Sequence, residues 1–170
     1  NTWMYTARTI VWNALNDTMT NSYPMGGGGG FNDIQIVPFP DGQNKYYLFY
    51  QNFAGSMDGI FYAIIDMNTV WGTPGLGEVI IKGQQITNHR IADCLQAVKH
   101  GNGRDWWLLK AGYDTVNFYT FLITDDGIQD YGLQVFPEIN ADYGWDVNGQ
   151  SAFSADGSMF ATVLGHRRTI

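Results

Sequence analysis

The chain has 170 residues, and 9 Lys and Arg against 16 Asp and Glu leave a formal charge of −7. That acidity argues against a nucleic-acid surface, which needs a basic stripe to displace counterions from phosphates. Aromatic residues at 15% exclude a disordered chain, because so much apolar area offsets the entropy of ordering.

Abundant glycine and aromatics, with only 15% charged residues, mark an all-β protein: aromatic side chains suit strands and glycine suits tight turns. The first complete run of elements opens at Asp33 to Val37, whose alternation reads as a half-buried strand. Pro40-Asp41-Gly42 turns the chain into Lys45 to Tyr50, the Gly55 to Gly59 turn leads to Ile60 to Asp66, and Glu78 to Lys82 follows a Gly-Pro-rich connection. The order then repeats. Leu95 to His100, the Gly101-Asn102-Gly103 turn, Asp105 to Lys110, Val116 to Ile123, the Asp125-Asp126-Gly127 turn and Tyr131 to Phe136 make a second set. A third set starts at Gln150 to Phe153, turns at Ala155-Asp156-Gly157 and continues along Met159 to Leu164.

The turn glycines Gly42, Gly103 and Gly157 recur every 55 to 60 residues or so, roughly one four-stranded unit each. No stretch carries a 3.6-residue apolar period of helical length, so α/β folds are poor candidates. The pattern predicts a propeller-like arc of four-stranded antiparallel blades, with a β-sandwich as the competing arrangement. Residues 1–32 read as the end of a preceding repeat with a glycine-rich connector, 33–92 as a first full blade, 93–148 as a second and 149–170 as the start of a third. The chain opens at Asn1 and stops at Arg167-Arg168-Thr169-Ile170, straight after a predicted strand; it is expected to be an excerpt of a longer propeller.

The stretch L-Q-A-V-K-H-G-N-G-R-D-W-W from Leu95 to Trp107 resembles a segment of the secreted or surface β-propeller repeat proteins of Bacteroidota associated with type IX secretion. Thr9 to Asn13, the Gly75 to Val79 step and the Phe153 to Ser158 turn are similar to that family too, in the family's order; Ala155 stands where the family usually carries Pro. The resemblance implies a surface-exposed or secreted propeller of unknown binding partner, and together with the repeat pattern it leads to the expectation of a cell-surface or extracellular, non-enzymatic recognition or scaffold module. It carries no catalytic residue.

Candidate chemistry is sparse. Gly26 to Gly30 is not followed by a helix or a Lys, as a phosphate loop requires, and reads as a connector. Asp125, Asp126 and Asp130 lack calcium-loop spacing, and Asp142 and Asp146 read as loop acids. Cys94, the single cysteine, cannot form an intrachain disulfide or seed a zinc site. His89, about 16 Å away along an extended chain, is too far to activate it.

The strongest binding candidates are His100, Arg104, Asp105, Trp106 and Trp107, just after Lys99. In the functional reading a Trp stacks on a sugar or peptide ring and Arg104 holds an anion. In the packing reading, alternation sends Trp106 and Trp107 to opposite faces, each filling the space between blades. Tyr46-Tyr47 and Met159-Phe160 are expected at the equivalent places, which favours packing. No cofactor or metal is assigned, no apolar run spans a bilayer, and no feature sets an oligomeric state. Carbohydrate or protein partners suit the low charge density better than nucleic acid. The alternative is a propeller-type glycoside hydrolase or lyase with converging acids in a central channel.

Overall fold

The computed structural model describes residues 4–7, 10–25, 33–51, 58–68, 76–113, 117–135 and 149–164. The Gly26 to Gly30 run, Asp142, Asp146 and most of the Thr69 to Gly77 loop lie outside them. The described residues form strands and turns with no helix. The strands are β1 (Tyr5–Ala7), β2 (Ile10–Trp12), β3 (Ile34–Pro38), β4 (Lys45–Gln51), β5 (Asp58–Asp66), β6 (Glu78–Arg90), β7 (Gln96–Lys99), β8 (Trp106–Ala111), β9 (Phe118–Thr124), β10 (Gly127–Gln134), β11 (Gly149–Phe153) and β12 (Phe160–Leu164). They pair into two four-stranded antiparallel meanders, β3-β4-β5-β6 and β7-β8-β9-β10, and two two-stranded sheets, β1-β2 and β11-β12.

Alternation along the middle strands explains how these sheets pack. On β4, Leu48 and Tyr50 join Val11, Met19, Met25, Ala63, Ile65, Met67 and Val79 in one core. Tyr47 and Phe49, pointing the other way, join Ile60, Leu108, Phe121 and Ile123 in a second core. The second sheet repeats the arrangement: Trp106 packs against the core it shares with the first sheet. Its β8 neighbours Trp107 and Leu109 belong to a third core with Phe118, Phe153 and Phe160. Each four-stranded sheet is therefore apolar on both faces, and the sheets follow one another in chain order.

The predicted repeat is visible atom by atom in its turns. Phe39 N–H donates to Lys45 O at 2.9 Å, His100 N–H to Asp105 O at 2.8 Å, and Ser154 N–H to Met159 O at 3.0 Å. Within each turn Gly42, Gly103 or Gly157 sits at a φ of 70°, 75° or 72° and donates back to the carbonyl three residues earlier. The preceding Asp41, Asn102 or Asp156 accepts from the backbone N–H two residues on, at 3.0, 3.0 and 3.1 Å. A shorter relative spans Asn13 to Asp17, with Asn16 at a φ of 63°. Asn in place of Gly at the left-handed position hid it from a reading based on glycine.

Three expectations need correction. The fourth strand runs to Arg90 instead of ending at Lys82, because successive bulges let β6 follow the whole of β5. The strand expected at Tyr131 begins at Gly127, which pairs with Thr124 directly across the Asp125-Asp126 turn. Lastly, turn register sets Phe160-Ala161 opposite the places of Tyr46-Tyr47 and Trp106-Trp107. Met159 falls at the Asp105 place and is 68% exposed.

Gly59 shows how closely β5 and β6 approach. It has a φ of 89°, and a Cβ there lies 1.7 Å from the Thr87 carbonyl oxygen, whereas a Cβ on Gly42 meets nothing within 4 Å. Gly42→Ala is expected to cost about 1 kcal/mol from backbone conformation alone. Gly59→Ala costs several times that, since backbone must move. Chemical-denaturation midpoints of the two variants check this; equal losses contradict it.

Candidate functional site

The β7–β8 turn carries His100, Arg104 and Asp105, β8 opens with Trp106 and Trp107, and local hydrogen bonds fix the turn residues. Asn102 is the organiser: its Oδ1 accepts from Arg104 N–H and Asp105 N–H, both at 3.0 Å, and its Nδ2 donates to Asp105 Oδ2 at 2.6 Å. His100 Nδ1 accepts from Asn102 N–H at 3.1 Å. Arg104 donates through Nε to Asp105 Oδ1 at 2.9 Å and through Nη1 to Asp125 Oδ2 at 3.3 Å. Its guanidinium thus ties the β7–β8 turn to the β9–β10 turn. The paired carboxylates hold the Arg104 pKa above its ordinary value, and the Arg104 and Asn102 hydrogen bonds hold Asp105 below the usual carboxylate range. In the equivalent turn, Asp156 is lowered to about 2 by the Ser154 hydroxyl, then the Ser158 backbone and hydroxyl.

The two tryptophans part as alternation requires. Trp106 packs against the core between the four-stranded sheets, with Lys99 Nζ 4.8 Å from its ring centroid. Trp107 faces the β11-β12 side, tilted against His100 at 5.6 Å and edge-to-face with Tyr131 at 5.1 Å. Two hollows result. A groove of about 380 Å³ lies between the β7–β8 and β11–β12 hairpins, lined by Lys99, Trp106, Ala97, Phe153, Ser154 and Asp156 among others. A larger cleft of about 670 Å³, walled by Trp107, Tyr131, Leu133 and Phe160, lies between β10 and β11-β12. Arg104 and Asp105 line neither. The candidates brought to a groove are Trp106 and, at the cleft, Trp107.

Cys94 is fully buried, with its Sγ 3.9 Å from Thr162 Oγ1. It stands at a φ of 70°, so the chain from His89 bends there rather than running extended. Burial pushes its thiol pKa up, partly offset by hydroxyl hydrogen bonds. His89 is engaged elsewhere, stacked on Tyr119 at 4.3 Å and 3.9 Å from Asp130.

Lys110 ends the strand predicted from Asp105 to Lys110, and nothing in its sequence neighbourhood marks it as a functional group. It follows Trp106 and Leu108 on the row facing the first sheet and is 0% exposed. Among the described residues its Nζ has no hydrogen-bond partner. Burial lowers its pKa from 10.5 to about 8 against the opposing effects of Asp93, Cys94 and Asp33. Asp33, Asp93 and Gln51 are also buried, so the end of the intersheet core away from the β7–β8 turn holds charge. Among the described residues no group of three acids, His or Cys is placed to hold a metal, and no helix is long and apolar enough to cross a membrane.

No family model, curated protein or solved structure matches this chain.

A depressed lysine pKa has a definite sign. Below about pH 8 the amine is charged in both states and the folded chain bears the whole cost. Between that pH and 10.5 the unfolded chain holds the extra proton, so folding stability rises with pH. The rise from this group is on the order of 3 kcal/mol. Urea unfolding at pH 7.5 and pH 9.5 should show increasing stability, and Lys110→Met should remove that increase.

Proposed function

We propose that this chain is a propeller-like arc of stacked blades that serves as a non-enzymatic recognition or scaffold module, secreted or on the cell surface. Supporting the arc, β7 lies against both β3 and β11, so equivalent first strands are neighbours, and the same turn recurs at the same end of each sheet. Similarity of Leu95 to Trp107 to secreted propeller repeats supports the extracellular placement.

The observation that carries the reading is the groove between two of those turns. Trp106 offers an aromatic surface beside Ala97 and Phe153, Lys99 a cation, and Ser154 and Asp156 hydrogen-bonding groups. This mixture suits a carbohydrate, whose ring has an apolar face and a polar rim, or a protein side chain of like character. Turns locked by their own hydrogen bonds present these groups with little ordering cost on binding.

Immobilised full chain is to be screened against a glycan panel and a panel of cell-surface proteins. Saturable binding, weakened about tenfold or more by Lys99→Glu without loss of the β-sheet circular dichroism signal, is expected from removing one charged contact. Absence of saturable binding in both panels overturns the reading.

A further inference from the structure

The core between the two four-stranded sheets leaves a cavity of about 320 Å³ beside the strands β5-β6 of one and β9-β10 of the other. Strand register shows which side chains reach it. Phe121 and Asp130 are direct partners across β9 and β10, and Ile123 and Ile128 are the next pair on the same face. That face packs on the first sheet, where Phe121, Ile123 and Ile128 join Tyr47, Tyr62 and Ile86 in one core. Asp130 therefore takes an apolar place in its row. A residue that breaks the local packing rule marks a site of function.

The polar groups of the cavity are held in place but left with capacity to spare. Tyr47 is only 6% exposed, and its ring stacks on Phe39 at 4.2 Å and on Phe49 at 5.4 Å. Burial, then Tyr62 and Asp41, push its pKa up to about 12, so the phenol keeps its proton. Tyr62 stands edge-to-face on Tyr47 at 5.5 Å. Neither hydroxyl makes a hydrogen bond among the described residues. Asp130 Oδ1 accepts from Gly132 N–H at 2.7 Å, which orients the carboxylate. Its Oδ2 lies 3.9 Å from His89 Nε2, beyond hydrogen-bond distance. Among the described residues no Lys or Arg lines the cavity.

Three acceptor oxygens, one of them charged, thus line one cavity beside the apolar side chains of Ile86, Phe121 and Ile128. An ammonium group has three N–H donors and no acceptor, and each donor needs a partner once it leaves water. We propose that this cavity binds a primary alkylammonium group, with Asp130 Oδ2 as the counter-charge, the Tyr47 and Tyr62 hydroxyls as further acceptors, and the alkyl stem lying on Ile86 and Ile128. A sugar suits it less well, because sugar oxygens also seek N–H donors. Gln85 carries the one side-chain N–H group of the lining, and its Nε2 already donates to Thr87 O at 3.1 Å. The net charge of −7 draws cations to the chain. The cavity shares no residue with the Lys99–Trp106 groove, so the two sites are tested separately.

Amide NMR titration of the full chain tests this, with n-butylammonium chloride and N-acetyl-lysine methylamide as probes and 1-butanol and D-glucose as neutral controls. Saturable shifts centred on the Gly127, Ile128 and Asp130 amides are expected with both amines. Asp130→Asn is expected to weaken binding about tenfold or more, and Tyr47→Phe about threefold. Both variants keep the shape of the side chain, the first an oxygen for Gly132 N–H and the second the stacked ring, and unchanged amide spectra elsewhere check the fold. Tighter binding of the lysine derivative identifies a protein side chain as the natural ligand, and tighter binding of butylammonium a free amine; either upholds the site. Equal binding of 1-butanol, binding unaffected by Asp130→Asn, or glucose bound here in preference to the amines overturns it. So does the absence of shifts at about 100 mM amine.

Discussion

Each four-stranded sheet among the described residues has to be covered on both faces, and the rest of the architecture follows from that constraint. β4 and β8 supply it, because each alternates large apolar residues to both sides. A strand with a polar face is satisfied by one packed layer; a strand such as Lys45–Gln51, with three Tyr and a Phe flanking Leu48, is not. Burying one Phe or Leu is worth about 1.5–3 kcal/mol, so leaving either face in water forfeits several such contributions. Stacking one sheet on the next satisfies both faces at once. The cores on either side of the first sheet and on either side of the second are what this produces.

The stacking has a cost at the end of β8 away from the β7–β8 turn. Lys110 occupies a position in the row of Trp106 and Leu108 where an apolar residue would pack without penalty. Instead its amine is buried near the carboxylates of Asp33 and Asp93. A buried charge of this sort contributes little net stability and penalises arrangements that leave it without opposing charge. Because the three groups come from the approach to β3, the β6–β7 crossover and β8, they sit where the two four-stranded sheets must register against each other. The turns act at the opposite end of β7 and β8. There Asn102 and Arg104 bind the β7–β8 hairpin to itself and, through Asp125, to β9–β10.

Much of this was legible in the residues. Strand alternation and turn glycines located the repeating strands, and the opposite facing of Trp106 and Trp107 followed from a period of two. What escaped had physical reasons. The length of β6 depends on bulges, which no alternation pattern announces. The start of β10 at Gly127 depended on a two-residue turn being tight enough to pair its own flanks. Arg104 reads in sequence as a free cation; Asp125 reaches it only through the fold, 21 residues on. Lys110 at a strand end looks like a solvated charge until the neighbouring sheet closes over it. The groove at Trp106 and the cleft at Trp107 are likewise products of packing between hairpins distant in sequence.

The central claim is that two-sided coverage decides where this chain is stable. Amide hydrogen exchange resolved by strand measures it most directly, because protection follows local stability. β4 and β8, covered on both faces, are predicted to exchange slowest and at a common rate set by global unfolding, with β10 and β12 several orders of magnitude faster. If β8 exchanges as fast as β10, or β12 is as protected as β4, coverage by neighbouring sheets is not what holds the fold together.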